Sequence, residues 1–372
     1  MTSIRIIKGN YNTAKVFTDD VESKTLDQIK NLLNNEAFSG LKIRIMPDCH
    51  AGAGCVIGFT AELGDKVVPN LVGVDIGCGI KAYCIGNTEI DFSQLDKFIR
   101  NNIPHGFNHN KKVDKGIDRK LSERIEKNCK KMNLDTFEQL SGIGSLGGGN
   151  HFIEVSQDSQ GHKWILIHSG SRNFGLQTAN YHQKKAKKHC QGKKIEIQAS
   201  LAYLEGDARE EYLEDMKIAQ EYAALNREIM IDRIIKAFSL KITDRIESVH
   251  NYIDFSDRIL RKGAIAAYSG IPLVIPMNMK FGSVIGYGRS VADWNFSAPH
   301  GAGRVMSRSQ AKKKLKLEDF RQTMKGVWTS TVSRGTIDEA PQVYKNPERI
   351  IESISETVDI NDILKPLYNF KG

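Results

Sequence analysis

Across residues 208–237 the apolar side chains Leu213, Met216, Ala219, Tyr222, Ala223, Ile229, Met230 and Ile234 recur near a helical period. That spacing ties the segment to one long helix, read here as a helical arm or insertion. Shorter basic helices are expected over 117–132 and 178–191, and an earlier one over 25–34. Between them lie β-rich runs at 42–46, 67–68, 71–75, 81–85, 164–167, 273–275 and 283–287, each near a turn or a glycine. Strands and helices follow one another in mixed order, which predicts an α+β fold. No composition break, repeat or low-complexity linker divides the chain, so one domain is expected over 1–372.

The chain carries 53 Lys and Arg against 44 Asp and Glu, a net charge of +9. Such a surface attracts polyanions, nucleic acid among them. The basic runs at 111–112, 119–131, 184–194 and 312–316 are dispersed and read individually as solvated helix faces. The opening residues contain no apolar leader core, and the stretch 263–276 is too short and interrupted to span a bilayer. A cytoplasmic protein with no membrane partner is expected, its six cysteines reduced and available to a metal.

Chemistry concentrates around glycine and histidine. In Ser297-Ala-Pro-His-Gly-Ala-Gly-Arg the glycines let backbone N–H groups approach a phosphate, and Arg304 and Arg308 can neutralise it. His300 is then the candidate nucleophile. In Val74-Asp-Ile-Gly-Cys-Gly a carboxylate and a thiol three residues apart, Asp75 and Cys78, are expected at the end of an apolar strand where both reach one ion. His151, His168 and His250 can add imidazoles, and the set suffices for two metals sharing a ligand. Gly142, Gly144 and Gly147 match G-x-G-x-x-G, yet glycines and Asn150 follow where a dinucleotide fold needs a helix, and no P-loop occurs. The segment 147–154 instead offers backbone donors, an amide and the Glu154 carboxylate, which can hold the N1–H and amine of guanine.

Taken together, Met46-Pro-Asp-Cys-His-Ala-Gly, Val74-Asp-Ile-Gly-Cys-Gly, Gly147-Gly-Gly-Asn-His, His168-Ser-Gly-Ser-Arg, His250-Asn, Ser297-Ala-Pro-His-Gly-Ala-Gly-Arg and the terminal Lys371-Gly372 resemble the RtcB family of RNA ligases. The resemblance implies a catalytic domain of mixed β-sheets with surrounding helices. It implies joining of an RNA 3′-phosphate or 2′,3′-cyclic phosphate to a 5′-hydroxyl, with GTP as substrate and two Mn²⁺ ions. By the same resemblance Asp75, Cys78, His151, His168 and His250 hold the ions, Cys78 bridging, and His300 becomes guanylylated. Asn150, His151, Glu154, His250, Asn251, Pro276, Asn278, Met279, Ser283, His300, Gly301, Ala302, Gly303, Tyr344 and Lys371 match positions that contact the nucleotide. Arg172, Arg289 and Arg304, and more loosely Lys81 and Lys280, are RNA-phosphate candidates; His50 receives no role. An activating protein such as archease is a conceivable partner that bacterial-type members do without. The chain departs from the family at Ile103-Pro-His-Gly-Phe-Asn, where members commonly carry Gly-Val-Gly after the proline, and at Pro276-Met-Asn-Met, where many carry Pro-Gly-Ser-Met. Ligand softness alone points a cysteine-containing site to zinc or iron, so manganese rests on the resemblance. Two other readings use the same residues: a binuclear phosphodiesterase that activates water, and a non-catalytic RNA-binding protein.

Overall fold

A computed structural model describes residues 4–372; Met1–Ser3, the start of the opening read for a leader, lie outside the described residues. Two sheets dominate. The first has six strands in the order Arg5–Lys8, Thr13–Val16, Ile43–Ala51, Val56–Glu62, Ile259–Lys262 and Asn251–Asp254, antiparallel except for the second and third. The second has seven antiparallel strands in the order Asp244–Val249, Gly79–Cys84, Lys163–Ser169, Phe152–Gln157, Val358–Lys371, Gly282–Gly288 and Pro272–Asn278. One of the crossings between them takes a single residue: Val249 ends a strand of one sheet, Asn251 begins a strand of the other, and His250 lies between.

Period-two alternation gives each face of the larger sheet its own core. Ile165 and Ile167 pack with Met230, Ile231 and Ile234 of the long helix, whereas Trp164 and Leu166 pack with Phe152, Val274 and Ile285. The strand Lys163–Ser169 is buried along its whole length, which suits its near-continuous apolar run.

The long helix is present as Gly206–Ala237, but it does not project as an arm. Tyr212, Leu213, Met216 and Tyr222 join the core beside the six-stranded sheet, while Met230, Ile231 and Ile234 join the core of the seven-stranded one. A helix apolar on more than one face must be buried on more than one face. The expectation of a strand over 71–75 is also corrected. Pro69–Leu71 forms a 3-10 turn with proline at its start, and a loop follows. Leu71 and Val72 are apolar because they fill the core, not because they pair. Asp75 and Cys78 therefore precede a strand, Gly79–Cys84, instead of ending one. Among the described residues no helix is long and apolar enough to cross a membrane.

Candidate active site

Register brings the motifs together. Val249 pairs with Gly79, Gly79 with Ser169, His168 with both Ile80 and Phe152, and Phe152 with Lys371. One end of the seven-stranded sheet thus carries Cys78, His151, His168, His250 and Lys371, although these residues are spread over almost three hundred positions of sequence. They lie in or beside a cavity of about 700 Å³.

Two ligand triplets share one thiol. Asp75, Cys78 and His151 form the first; Cys78, His168 and His250 form the second. His151 Nε2 is 2.9 Å from Asp75 Oδ2 and 3.5 Å from Cys78 Sγ, and His168 Nε2 is 3.2 Å from the same sulfur and 3.3 Å from His250 Nε2. His151 Nδ1 faces the Leu146 carbonyl at 3.0 Å, and His168 Nδ1 faces the Asn150 carbonyl at 3.2 Å. Each Nδ1–H is thereby committed to a backbone acceptor, which leaves the Nε2 lone pairs turned to the centre. Burial, reinforced by neighbouring imidazoles, holds His168 and His250 well below the ordinary histidine range and therefore neutral. Burial raises the Asp75 carboxyl, but His151, Cys78 and His250 together outweigh it and keep the group below its usual value. Burial and the Asp75 charge push the Cys78 thiol well up. Three imidazoles, two of them held neutral, converge with a carboxylate and a sulfur in a donor set that fits divalent cations. Ser169 is followed by glycine for a local reason: a Cβ at Gly170 would stand 2.0 Å from Asp75 Oδ1.

His300 follows the short strand Ser297–Pro299 and lines the same cavity, its ring centroid 4.9 Å from that of His250. Its Nδ1 lies 2.7 Å from Oδ2 of Asp48, a side chain with no exposure to solvent. The carboxylate accepts Nδ1–H, so Nε2 is the nitrogen left to react. Oδ1 of Asp48 has no partner among the described residues. Asp48 sits inside a motif quoted above, yet sequence reasoning does not single it out. His50, which received no role, lines the cavity too; its Nδ1 faces the Asp48 carbonyl at 3.0 Å, and burial pulls its pKa down to about 4.

The remaining walls hold most of the nucleotide candidates. Asn150, Glu154 and Lys371 line the cavity together with Asn251, whose Nδ2 donates to the Asp75 carbonyl at 3.2 Å. Pro276, Asn278, Met279 and Ser283 come from the last two strands of the larger sheet, and Gly301, Ala302, Gly303, Arg304 and Tyr344 from the loops beyond His300. Glu154 pairs in register with Asn369, accepts from Ser156 Oγ at 2.7 Å and from Asn369 Nδ2 at 2.8 Å, and burial raises its pKa to about 7. Asn369 Oδ1, buried in that wall, has no partner among the described residues. Burial pulls the Lys371 ammonium down, and its Nζ reaches the Asn150 carbonyl at 3.2 Å.

The three arginine candidates are placed differently. Arg304 lines the cavity, its guanidinium over the Tyr344 ring and paired with the buried Glu339 at 3.2 Å; Arg308, also lining, pairs with Asp338 and Glu339. Arg172 turns beneath the loop that follows Ile103, bonding Ser145 Oγ and the Gly106 carbonyl. Arg289 pairs with Asp359 outside the cavity lining, as do Lys81 with Glu228 and Lys280 with the Lys325 carbonyl.

Behind the ligands stands the long helix. Arg227, fully buried, donates to the Gly77 and Ser169 carbonyls at 2.7 and 2.9 Å and pairs with Glu247. Asn226 accepts from the Gly144 and Ser145 amides and donates to Ser169 Oγ and the Gly170 carbonyl. These two residues clamp the segments that present Cys78 and His168. In the sequence they belong to a polar run, Asn226-Arg227-Glu228, that looks like any solvated turn of a helix.

Comparison with known proteins agrees with this geometry. The family model described as tRNA-splicing ligase RtcB matches residues 28–372. RNA-splicing ligase RtcB of Escherichia coli strain K12 is 33% identical, covering 89% of this chain and 90% of that protein. tRNA-splicing ligase RtcB of Aeropyrum pernix is 26% identical, covering 96% of this chain and 95% of that protein. A match over nearly the whole chain, with the quoted motifs gathered about one cavity, means that the chain belongs to the RtcB family.

Proposed function

We propose that this protein is a GTP- and Mn²⁺-dependent RNA ligase that joins 3′-phosphate or 2′,3′-cyclic phosphate ends to 5′-hydroxyl ends in RNA repair or tRNA splicing. The observation that carries the proposal is the His300–Asp48 pair opening onto the cavity beside the shared-thiol cluster. Asp48 fixes the neutral tautomer and stabilises the positive charge that builds on the ring as Nε2 forms a bond to the α-phosphorus of GTP. Pyrophosphate leaves, and a His300–GMP phosphoramidate stores the activation. A 2′,3′-cyclic phosphate is first opened by water, breaking the P–O2′ bond; an oxygen of the RNA 3′-phosphate then attacks the phosphoramidate phosphorus, breaking the N–P bond and giving an RNA-3′-pp-5′-G end. The 5′-hydroxyl attacks the 3′-phosphorus and expels GMP, closing the phosphodiester. Asp75, Cys78 and His151 would hold one cation and Cys78, His168 and His250 another; bound there, the cations neutralise phosphate and leaving-group charge. Glu154 and the free acceptor of Asn369 suit guanine, whose edge presents adjacent N–H donors, where adenine presents an acceptor. Arg304, Arg308 and Lys371 supply positive charge to the phosphates. A phosphodiesterase built on the same ligands would use His300 only as a general acid or base and would take no covalent label from GTP.

Incubation with α-labelled GTP and Mn²⁺ tests the scheme. Acid-labile label is expected on the wild type, none with ATP, none in His300→Ala or Cys78→Ala, and a rate lowered about 10²–10⁴-fold in Asp48→Asn, which can no longer hold the tautomer. A folded wild type that takes no label from any nucleotide or metal would overturn it.

A further inference from the structure

We infer that the loop carrying Phe107 is a stacking platform for a base of single-stranded RNA beside the ligation site, a reading that rests on the function proposed above. Phe107 is fully exposed, the most exposed large apolar side chain among the described residues. Exposure of that kind on a mobile tip would carry little meaning, but this loop is fixed at many points. Leu146 N donates to the Pro104 carbonyl, Gly106 N to the Gly147 carbonyl, and Arg172 Nη2 to the Gly106 carbonyl at 2.6 Å. Beyond Phe107, the Asn110 side chain donates to the Ser141 and Ile143 carbonyls and accepts from Arg233. Gly106 takes φ +63°, a left-handed turn that aims the next residue outward. A rigid backbone presenting an unpartnered aromatic ring needs no ordering before a planar ligand stacks on it.

Its surroundings fit a polynucleotide. His109 packs edge-on to the half-exposed Phe137, extending the aromatic surface. Lys111, Lys112 and Lys115 follow, all exposed and without a carboxylate partner among the described residues. Aromatic faces interleaved with unpaired cations are how sequence-tolerant single-strand binding is built. The loop also adjoins the site: the Gly106 Cα lies 3.7 Å from the Cβ position of Gly148, two residues before the cavity-lining Asn150.

The test is fluorescence anisotropy with a short unstructured RNA bearing a 3′-phosphate, GTP omitted so that no reaction occurs, paired with GTP labelling of the same preparations. Phe107→Ala should weaken RNA binding roughly tenfold or more, Phe107→Trp should restore it, and labelling should be equal in all three. Equal RNA affinity for wild type and Phe107→Ala, with labelling intact, would overturn the platform alone, as would a variant whose sole change is a smaller oligomer. Absence of both labelling and RNA binding in the wild type would instead sink the ligase reading beneath it.

Discussion

Glu154 shows how one buried carboxyl can set a working range. Burial lifts it to about 7, so near neutrality it passes between an acid that cannot accept both guanine N–H groups and a carboxylate that can. GTP labelling should rise as pH increases through 7 and fall below it; Glu154→Gln should be poor throughout and lose that inflection. Stability moves the opposite way. The folded protein holds the Glu154 proton more tightly than the unfolded chain, so no penalty exists below about 4.5. The penalty grows as pH rises and levels off above about 7, at roughly 3 kcal/mol. Glu154→Gln should accordingly melt higher than wild type at pH 8 and alike at pH 4.5, in thermal denaturation at both values. That pair of outcomes would assign this glutamate to binding and not to folding.

Among the elements, the long helix was legible as a helix and illegible as a core. Its apolar spacing is plain in the sequence, but spacing reports a period and not a partner, so burial from two sides looked like an arm. Strands at 42–46, 81–85, 164–167, 273–275 and 283–287 could be read because apolar runs there coincide with pairing, whereas 71–75 is apolar for packing alone. The histidines and Cys78 stood out through their glycine-rich contexts and the family resemblance. Asp48, Asn226, Arg227, Glu339 and Asn369 did not, because what makes a buried polar group informative is its partner across the fold. Arg227 offers a check. Arg227→Met leaves the Gly77 and Ser169 carbonyls and Glu247 without their donor and should cost about 2–4 kcal/mol in urea unfolding. Because those carbonyls flank ligand residues, Mn²⁺ affinity by isothermal titration should fall about 10–100-fold. Full affinity in a destabilised variant would confine Arg227 to a structural role.

For the whole molecule, the proposed sharing of one thiol by two ions would tie metal content to stability. Saturating Mn²⁺ should raise the melting temperature, each ion at a hundredfold excess over its Kd adding about 3 kcal/mol. Cys78→Ala, common to both triplets, should abolish that gain and bind neither ion; His250→Ala, in one triplet, should keep part of it. Elemental analysis of dialysed protein together with melting curves distinguishes these outcomes, and equal losses in both variants would count against separate sites. The position of His250 carries a last implication. One residue links an edge strand of one sheet to an edge strand of the other, and its backbone amide bonds the Cys78 carbonyl. Because strands of the two sheets alternate along the chain, a nascent chain that stops short of residue 250 has completed neither sheet and lacks a finished centre. Chemistry on RNA would then be withheld from any molecule that had not completed its assembly.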